Sequence, residues 1–167
     1  MLTVSPNVIA GTISGTTPLC IGTTATYTRN GTAGGRWSSS NTTIATVNEI
    51  SGFVTAMNGG TTNISYTVST VCGSPVTSLR ALTVNPNITA GKVSGITPLC
   101  KGATAVYTSS GSAGGNWSSS NTLVATVNAS TGLVKAVNAG NANIIYTKTG
   151  CGSPGTSFAT ITVNPTA

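Results

Sequence analysis

Four cysteines, Cys20, Cys72, Cys100 and Cys151, are the residues of this chain best suited to chemistry. A thiol forms a disulfide, ligates a metal or attacks a substrate, and its neighbours decide which. These thiols have few such neighbours. The 167 residues include no histidine and no aspartate, and Glu49 is the sole acid. A paired-carboxylate mechanism lacks its second carboxylate. A cysteine or serine nucleophile lacks the base that would activate it. A hard-cation site lacks acidic oxygens, and a zinc site lacks clustered ligands. No catalytic residue, metal or cofactor is therefore expected, and the chain does not read as an enzyme. Disulfide formation is what remains, and four cysteines in a composition of secreted type suggest it.

The charged groups are equally sparse. They make up 5% of the chain, against about 25% in ordinary soluble domains. The net charge of +6 comes from Arg29, Arg36, Arg80, Lys92, Lys101, Lys135 and Lys148, scattered singly. Nucleic-acid binding needs a clustered basic face, so these read as solvated charges that keep a low-charge surface soluble. No stretch approaches the 18 apolar residues of a spanning helix, so direct membrane insertion is not expected. No basic start leads into an apolar run, so any targeting signal is expected outside this segment.

The elements that hold the cysteines come in two copies. GTISGTTPLCIGTTATYT at 11–28 matches GKVSGITPLCKGATAVYT at 91–108, and GTAGGRWSSSNTTIATVN at 31–48 matches GSAGGNWSSSNTLVATVN at 111–128. The offset is 80 residues and becomes 79 after Cys72, whose match is Cys151. That period suits a small autonomous domain and is long for a solenoid unit. The expected division is a first repeat over 6–85 and a second over 86–167, with 1–5 as the closing strand of a preceding repeat or a linker. The chain thus reads as two units of a longer array, or as a subunit whose ends join neighbours.

Within one copy the strand signals are short and evenly spaced, and turn residues separate them. Strands are expected at Val8–Ser14, Thr23–Thr28, Arg36–Ser39, Ile44–Asn48, Phe53–Ala56, Thr61–Ser69 and Leu79–Val84. Thr and Val dominate them, as strands prefer. Ser51-Gly52 supplies a tight turn. No segment has a helical period. The expected fold is all-β, two tandem immunoglobulin-like β-sandwiches placed end to end.

WSSSNTTIATVN, then SGFVTAMNGGTTNISYTV, then LTVNP, together with their second copies, resemble the bacterial immunoglobulin-like group 2 repeat. The cysteine additions resemble repeats of large surface adhesins of Bacteroidetes. The resemblance implies tandem sandwich modules of extracellular surface proteins, acting as stalks or presenting a binding tip, with no catalytic residues. It also implies that Trp37 and Trp117 are core residues and not sugar-stacking platforms. Tyr27, Tyr66, Tyr107 and Tyr146 are expected beside them.

The immunoglobulin-like order bears on the cysteines. Cys20 would lie at one end of the sandwich and Cys72 at the other, too far apart for the Cα separation of under about 7 Å that a disulfide needs. In an end-to-end array Cys20 of one copy would instead come near Cys151 of the next. The expectation is an inter-domain Cys20–Cys151 staple, leaving Cys72 and Cys100 to bond equivalents in adjoining copies. Intra-repeat bonds, Cys20–Cys72 and Cys100–Cys151, and free thiols are the alternatives.

Other motifs carry little. The six Asn-x-Ser/Thr sequons, from Asn30 to Asn128, occur about as often as the Asn-, Ser- and Thr-rich composition gives by chance. A Lys–Asn isopeptide bond would need a buried acid, and the counterpart of Glu49 is Ala129. Expected partners are adjacent repeats or copies of this chain, head to tail. A glycan or receptor bound by the loops is the alternative.

Overall fold

The computed structural model describes residues 7–70 and 73–165, and the chain divides into two compact units, Met1–Pro86 and Asn87–Ala167. Cys72 and the segment 1–5 lie outside the described residues. Every regular element among the described residues is a strand.

Unit 1 holds β1 (Ile13–Ser14), β2 (Leu19–Cys20), β3 (Thr24–Thr26), β4 (Thr28–Arg29), β5 (Arg36–Ser39), β6 (Ala45–Val47), β7 (Phe53–Ala56), β8 (Gly60–Val68) and β9 (Val76–Asn85). One sheet has the order β2-β9-β8-β5, a second has the order β3-β7-β6, and β1 pairs with β4 alone. The two sheets turn their inner faces toward each other, as in an immunoglobulin-like sandwich. Period-two patterning decides which residues face inward. On β8 the alternation buries Thr62, Ile64, Tyr66 and Val68, and on β9 it buries Leu82 and Val84. Ala45, Val54 and Ala56 face them from the second sheet, and all three are fully buried.

Unit 2 repeats the plan with β10 (Val93–Ser94), β11 (Leu99–Cys100), β12 (Thr104–Val106), β13 (Thr108–Ser109), β14 (Asn116–Ser119), β15 (Ala125–Val127), β16 (Leu133–Ala136), β17 (Gly140–Lys148) and β18 (Gly155–Asn164). Its sheets have the orders β11-β18-β17-β14 and β12-β16-β15. Ile144, Ile161 and Val134 occupy the core positions of Ile64, Leu82 and Val54.

Three local features depart from the sequence reading. Only Ile13–Ser14 of the expected Val8–Ser14 strand enters a ladder. The Ile9 N–H donates to Thr32 Oγ1 at 3.1 Å and the Thr12 N–H to Asn30 Oδ1 at 2.7 Å, so side chains satisfy these two amides, while the Ile9 and Thr12 carbonyls accept from the backbone N–H groups of Thr32 at 2.8 Å and Asn30 at 3.3 Å. The expected Thr23–Thr28 strand breaks at Tyr27: Thr24–Thr26 pairs with β7 and Thr28–Arg29 with β1. Finally, β2 runs parallel to the end of β9, with Leu19 opposite Val84 and Cys20 opposite Asn85.

Candidate functional site

Each sandwich closes around an indole held by a tyrosine. Trp37 is 6% exposed and Trp117 is 7% exposed. Trp37 lies 4.9 Å from Tyr66 between ring centroids, and Trp117 lies 4.8 Å from Tyr146. Tilted aromatic pairs at this distance are attractive. The Tyr66 hydroxyl accepts from the Gly35 N–H at 2.7 Å and donates to the Thr32 carbonyl at 3.2 Å. Tyr146 does the same with Gly115 at 2.7 Å and Ser112 at 2.6 Å. Each tyrosine thus ties the Gly-Gly loop to the tryptophan strand. Gly52 closes over the indole with φ of 72°, where a Cβ would stand 2.5 Å from the Tyr27 carbonyl oxygen. The four tyrosines and both tryptophans are buried, so neither indole offers a platform to a ligand.

Tyr27 and Tyr107 sit deeper in the sandwich, with hydroxyls donating to the Thr16 carbonyl at 2.9 Å and the Ile96 carbonyl at 3.1 Å. Burial pushes both phenols above their ordinary value, and Arg80 pulls Tyr27 back in part. Arg80 therefore departs from the reading of scattered, solvated charges. Its Nη2 donates to the Gly15 carbonyl at 2.9 Å, and its Nε is buried without a partner. Arg29 departs too, stacking 4.5 Å above the Tyr66 ring. Isolated cations in a repeat give no local signal of such contacts. The signal was in the comparison of copies, because Ser109 and Ala159 stand at the equivalent positions. Glu49 pairs with Arg36 at 2.8 Å on the surface, with side chains 61% and 66% exposed. This is no buried acid of the kind an isopeptide bond requires. Among the described residues no three His, Cys, Asp or Glu side chains cluster as metal ligands. Among the described residues no helix is long and apolar enough to cross a membrane.

The chemistry that remains is at the cysteines, and in unit 2 the fold places its two at opposite ends. Cys100 ends β11 beside Asn164, the last residue of β18. Cys151 lies in the turn between β17 and β18, where Lys148 pairs with Gly155 and the Ile88 N–H donates to the Cys151 carbonyl at 2.9 Å. Gly155 to Asn164 is nine steps along one strand, about 30 Å at the strand rise of about 3.3 Å. A disulfide spans Cα atoms about 4.4 to 6.8 Å apart. A Cys100–Cys151 bond inside unit 2, one of the alternatives read from the sequence, is thereby excluded. In unit 1 the strands flanking the equivalent turn, Val68 and Val76, are likewise at the far end of β9 from Cys20 and Asn85.

Cys20 and Cys151 are each disulfide-bonded, whereas Cys100 is a free, exposed thiol. The backbone around Cys20 and Cys100 is nonetheless the same. The following amide, of Ile21 or Lys101, donates to the Asn85 or Asn164 carbonyl at 3.1 or 3.0 Å. The next, of Gly22 or Gly102, donates to the Ala56 or Ala136 carbonyl at 2.9 Å in both. Two side chains differ. Ile21 packs against the core of unit 1, while Lys101 reaches Asn138 Oδ1 at 3.1 Å. Thr23 Oγ1 accepts from the Cys20 N–H at 3.2 Å and donates to its carbonyl at 2.8 Å, a clamp that Ala103 lacks.

Among solved structures the chain is similar to a C-terminal 282-residue fragment of intimin in complex with the intimin-binding domain of the translocated intimin receptor. The identity is 17% and the TM-score 0.51, over 95% of this chain and 65% of that one. It is similar to cadherin domains 3–6 of protocadherin gamma B2, at 10% identity and a TM-score of 0.48, over 95% of this chain and 50% of that one. Domains 4 and 5 of the surface-layer protein SbsC match at 21% identity and a TM-score of 0.34, over 86% of this chain and 82% of that one. The chain thus spans less than two thirds of the intimin and protocadherin chains it matches. The likeness to the intimin fragment shows the fold alone. No curated protein sequence matches. The model of the bacterial Ig-like domain, group 2, matches residues 1–79 and again 75–163, and the chain belongs to that family as a tandem pair.

Proposed function

We propose that this chain is a structural and adhesive module of an extracellular bacterial surface protein, whose immunoglobulin-like units are rigid spacers of a stalk or fibre. A Cys20–Cys151 disulfide staples one unit to the next. The state of the cysteines carries this reading. An intra-repeat pattern would need Cys100 as the partner of Cys151, yet Cys100 is free and about 30 Å away along β18. A bond from 20 to 151 would close a loop of about 130 residues, worth about 5 kcal/mol in the chain-entropy model. Such bonds persist in oxidising compartments, which accords with a place outside the cell. Pro86 follows Asn85 at the junction and restricts the backbone of that residue, limiting hinge motion.

Small-angle scattering tests the stalk. Under oxidising conditions an elongated particle of fixed maximum dimension is expected, with a broader distribution after reduction. A broad distribution of inter-unit angles in the oxidised protein would contradict the reading.

A second reading, carbohydrate or receptor binding, is favoured by one feature. Phe158 stands 59% exposed on the outer face of β18, opposite Ile145 and among threonines. A glycan array probed with the chain and with Phe158→Ala decides it. Hits lost with the ring would support binding there, and an array without hits would end it.

A further inference from the structure

We propose that unit 1 binds the carboxylate of an acidic sugar in a cavity beside Arg80, a site separate from the cysteines and from the exposed Phe158 ring. The cavity spans about 490 Å³ between the 11–17 segment and β9, within the range of small-ligand sites, and Thr12, Ile13, Thr17, Ser78, Leu79 and Arg80 line it. β9 borders it as a sheet edge. β2 pairs with that edge at Val84 and Asn85 alone, so among the described residues no strand ladder covers it from Ser78 to Ala81. The Thr83 N–H points away from β8 and donates to Thr17 Oγ1 at 3.1 Å. Amides two residues apart on a strand point the same way, so those of Leu79 and Ala81 also face away from β8. A sheet edge with its amides turned to one side makes an anion-binding concavity.

Arg80 supplies the charge. It is half-buried and shares the inward-facing side of β9 with Leu82 and Val84, where the alternation calls for an apolar residue. Unit 2 has Ala159 at this position, packed against its core. An inward guanidinium without a counter-charge is costly. The other two arginines are matched: Arg29 stacks on Tyr66, and Arg36 pairs with Glu49, the sole acid of the chain. Arg80 has the Gly15 carbonyl on Nη2 at 2.9 Å and the Tyr27 hydroxyl close by, and its Nε is buried without a partner. The chain has no second carboxylate to neutralise it, so the counter-charge comes from a ligand. The planar guanidinium fork suits a carboxylate, which takes two parallel N–H bonds.

The rest of the lining points to a sugar as the carrier. Thr17 accepts from the Thr83 N–H and retains its hydroxyl proton to donate, while Ser78 donates to the Gly11 carbonyl and retains lone pairs to accept. Ile13 and Leu79 add apolar surface for the C–H face of a pyranose ring. Hydroxyl partners of both senses, an apolar wall and one cation are the complement of a uronic acid.

The test titrates the isotope-labelled full chain with sodium glucuronate at constant ionic strength, read by NMR at the arginine Nε–Hε signals and the backbone amides. Methyl glucoside and sodium acetate are the comparison ligands. Arg29 and Arg36 serve as internal controls, and Arg80→Ala identifies the third signal. Unit 2 folds with alanine at this position, so that variant is expected to keep its fold, which circular dichroism checks. A saturable shift of the Arg80 signal and of the Leu79 and Ala81 amides is expected. It should persist in Phe158→Ala, and the amide shifts should vanish in Arg80→Ala. Acetate and methyl glucoside should each bind at least about tenfold more weakly. An Arg80 signal that stays in place, moves only in step with Arg29 and Arg36, or responds equally to acetate would overturn the inference. The scattering test of the stalk is independent of either result, because every residue of this site belongs to unit 1.

Discussion

Replacing Trp37 by alanine should remove most of the stability of unit 1 and leave unit 2 folded. Trp37 is 6% exposed, packs on Tyr66 at 4.9 Å and sits beneath Gly52 in a core with no second indole. Truncating a buried tryptophan costs about 3–5 kcal/mol, because transfer energy is lost and a cavity remains. A unit of this size holds roughly 4–12 kcal/mol in all. The core of unit 2, from Ala90 to Val163, shares no residue with that of unit 1. The variant also leaves Trp117 as the only indole, so fluorescence reports unit 2 while circular dichroism reports both. Urea unfolding should then show an early dichroism transition, displaced by about 2 M or more at a slope near 1–2 kcal/mol/M. The Trp117 transition should stay where the parent protein has it. A cost below about 1 kcal/mol, or a Trp117 midpoint that falls with the first transition, would refute the picture of two separately closed cores.

Tyr66→Phe and Tyr146→Phe should each cost about 1–3 kcal/mol by thermal unfolding, since each strands the N–H of Gly35 or Gly115. A cost below about 0.5 kcal/mol in both would mean that the Gly-Gly loops find other partners. Stability should be flat from mildly acidic to mildly alkaline pH and fall above about pH 10. Tyr27 and Tyr107 have raised phenol pKa values, so above the unfolded value of about 10 the unfolded chain releases protons first. Calorimetry across pH 8–11 checks this, and stability that rises there would contradict it. Glu49→Ala should change stability by no more than about 0.5 kcal/mol, because its pair with Arg36 is solvent-exposed. A loss above 1 kcal/mol by urea titration would give that pair a larger part.

Much of the sandwich was legible in the chain because its strands carry their own signals. Arg36–Ser39 and Phe53–Ala56 were readable from the indole after a Gly-Gly turn and from the Ser51-Gly52 turn, and both ranges match the observed strands. Leu19–Cys20 was not legible. Two residues after a proline have no periodicity, and their strand partner, the end of β9, lies more than 60 residues away. Val8–Ser14 misled for the opposite reason. It is apolar and β-branched enough to read as a strand, but Asn30 and Thr32 side chains occupy its amides. At the cysteines the repeat supplied two equivalent positions, while the separation of Cys100 and Cys151 depended on which end of β18 each occupies. That is a property of sheet order, and it entered the sequence reading only through the family resemblance.

Peptide mapping of the intact, non-reduced chain tests the central claim most directly. A peptide pair joined through Cys20 and Cys151, with Cys100 alkylated as a free thiol, is the expected result. A pair joining Cys20 to Cys72 would contradict the stapled joint and with it the account of these units as a stiffened stalk.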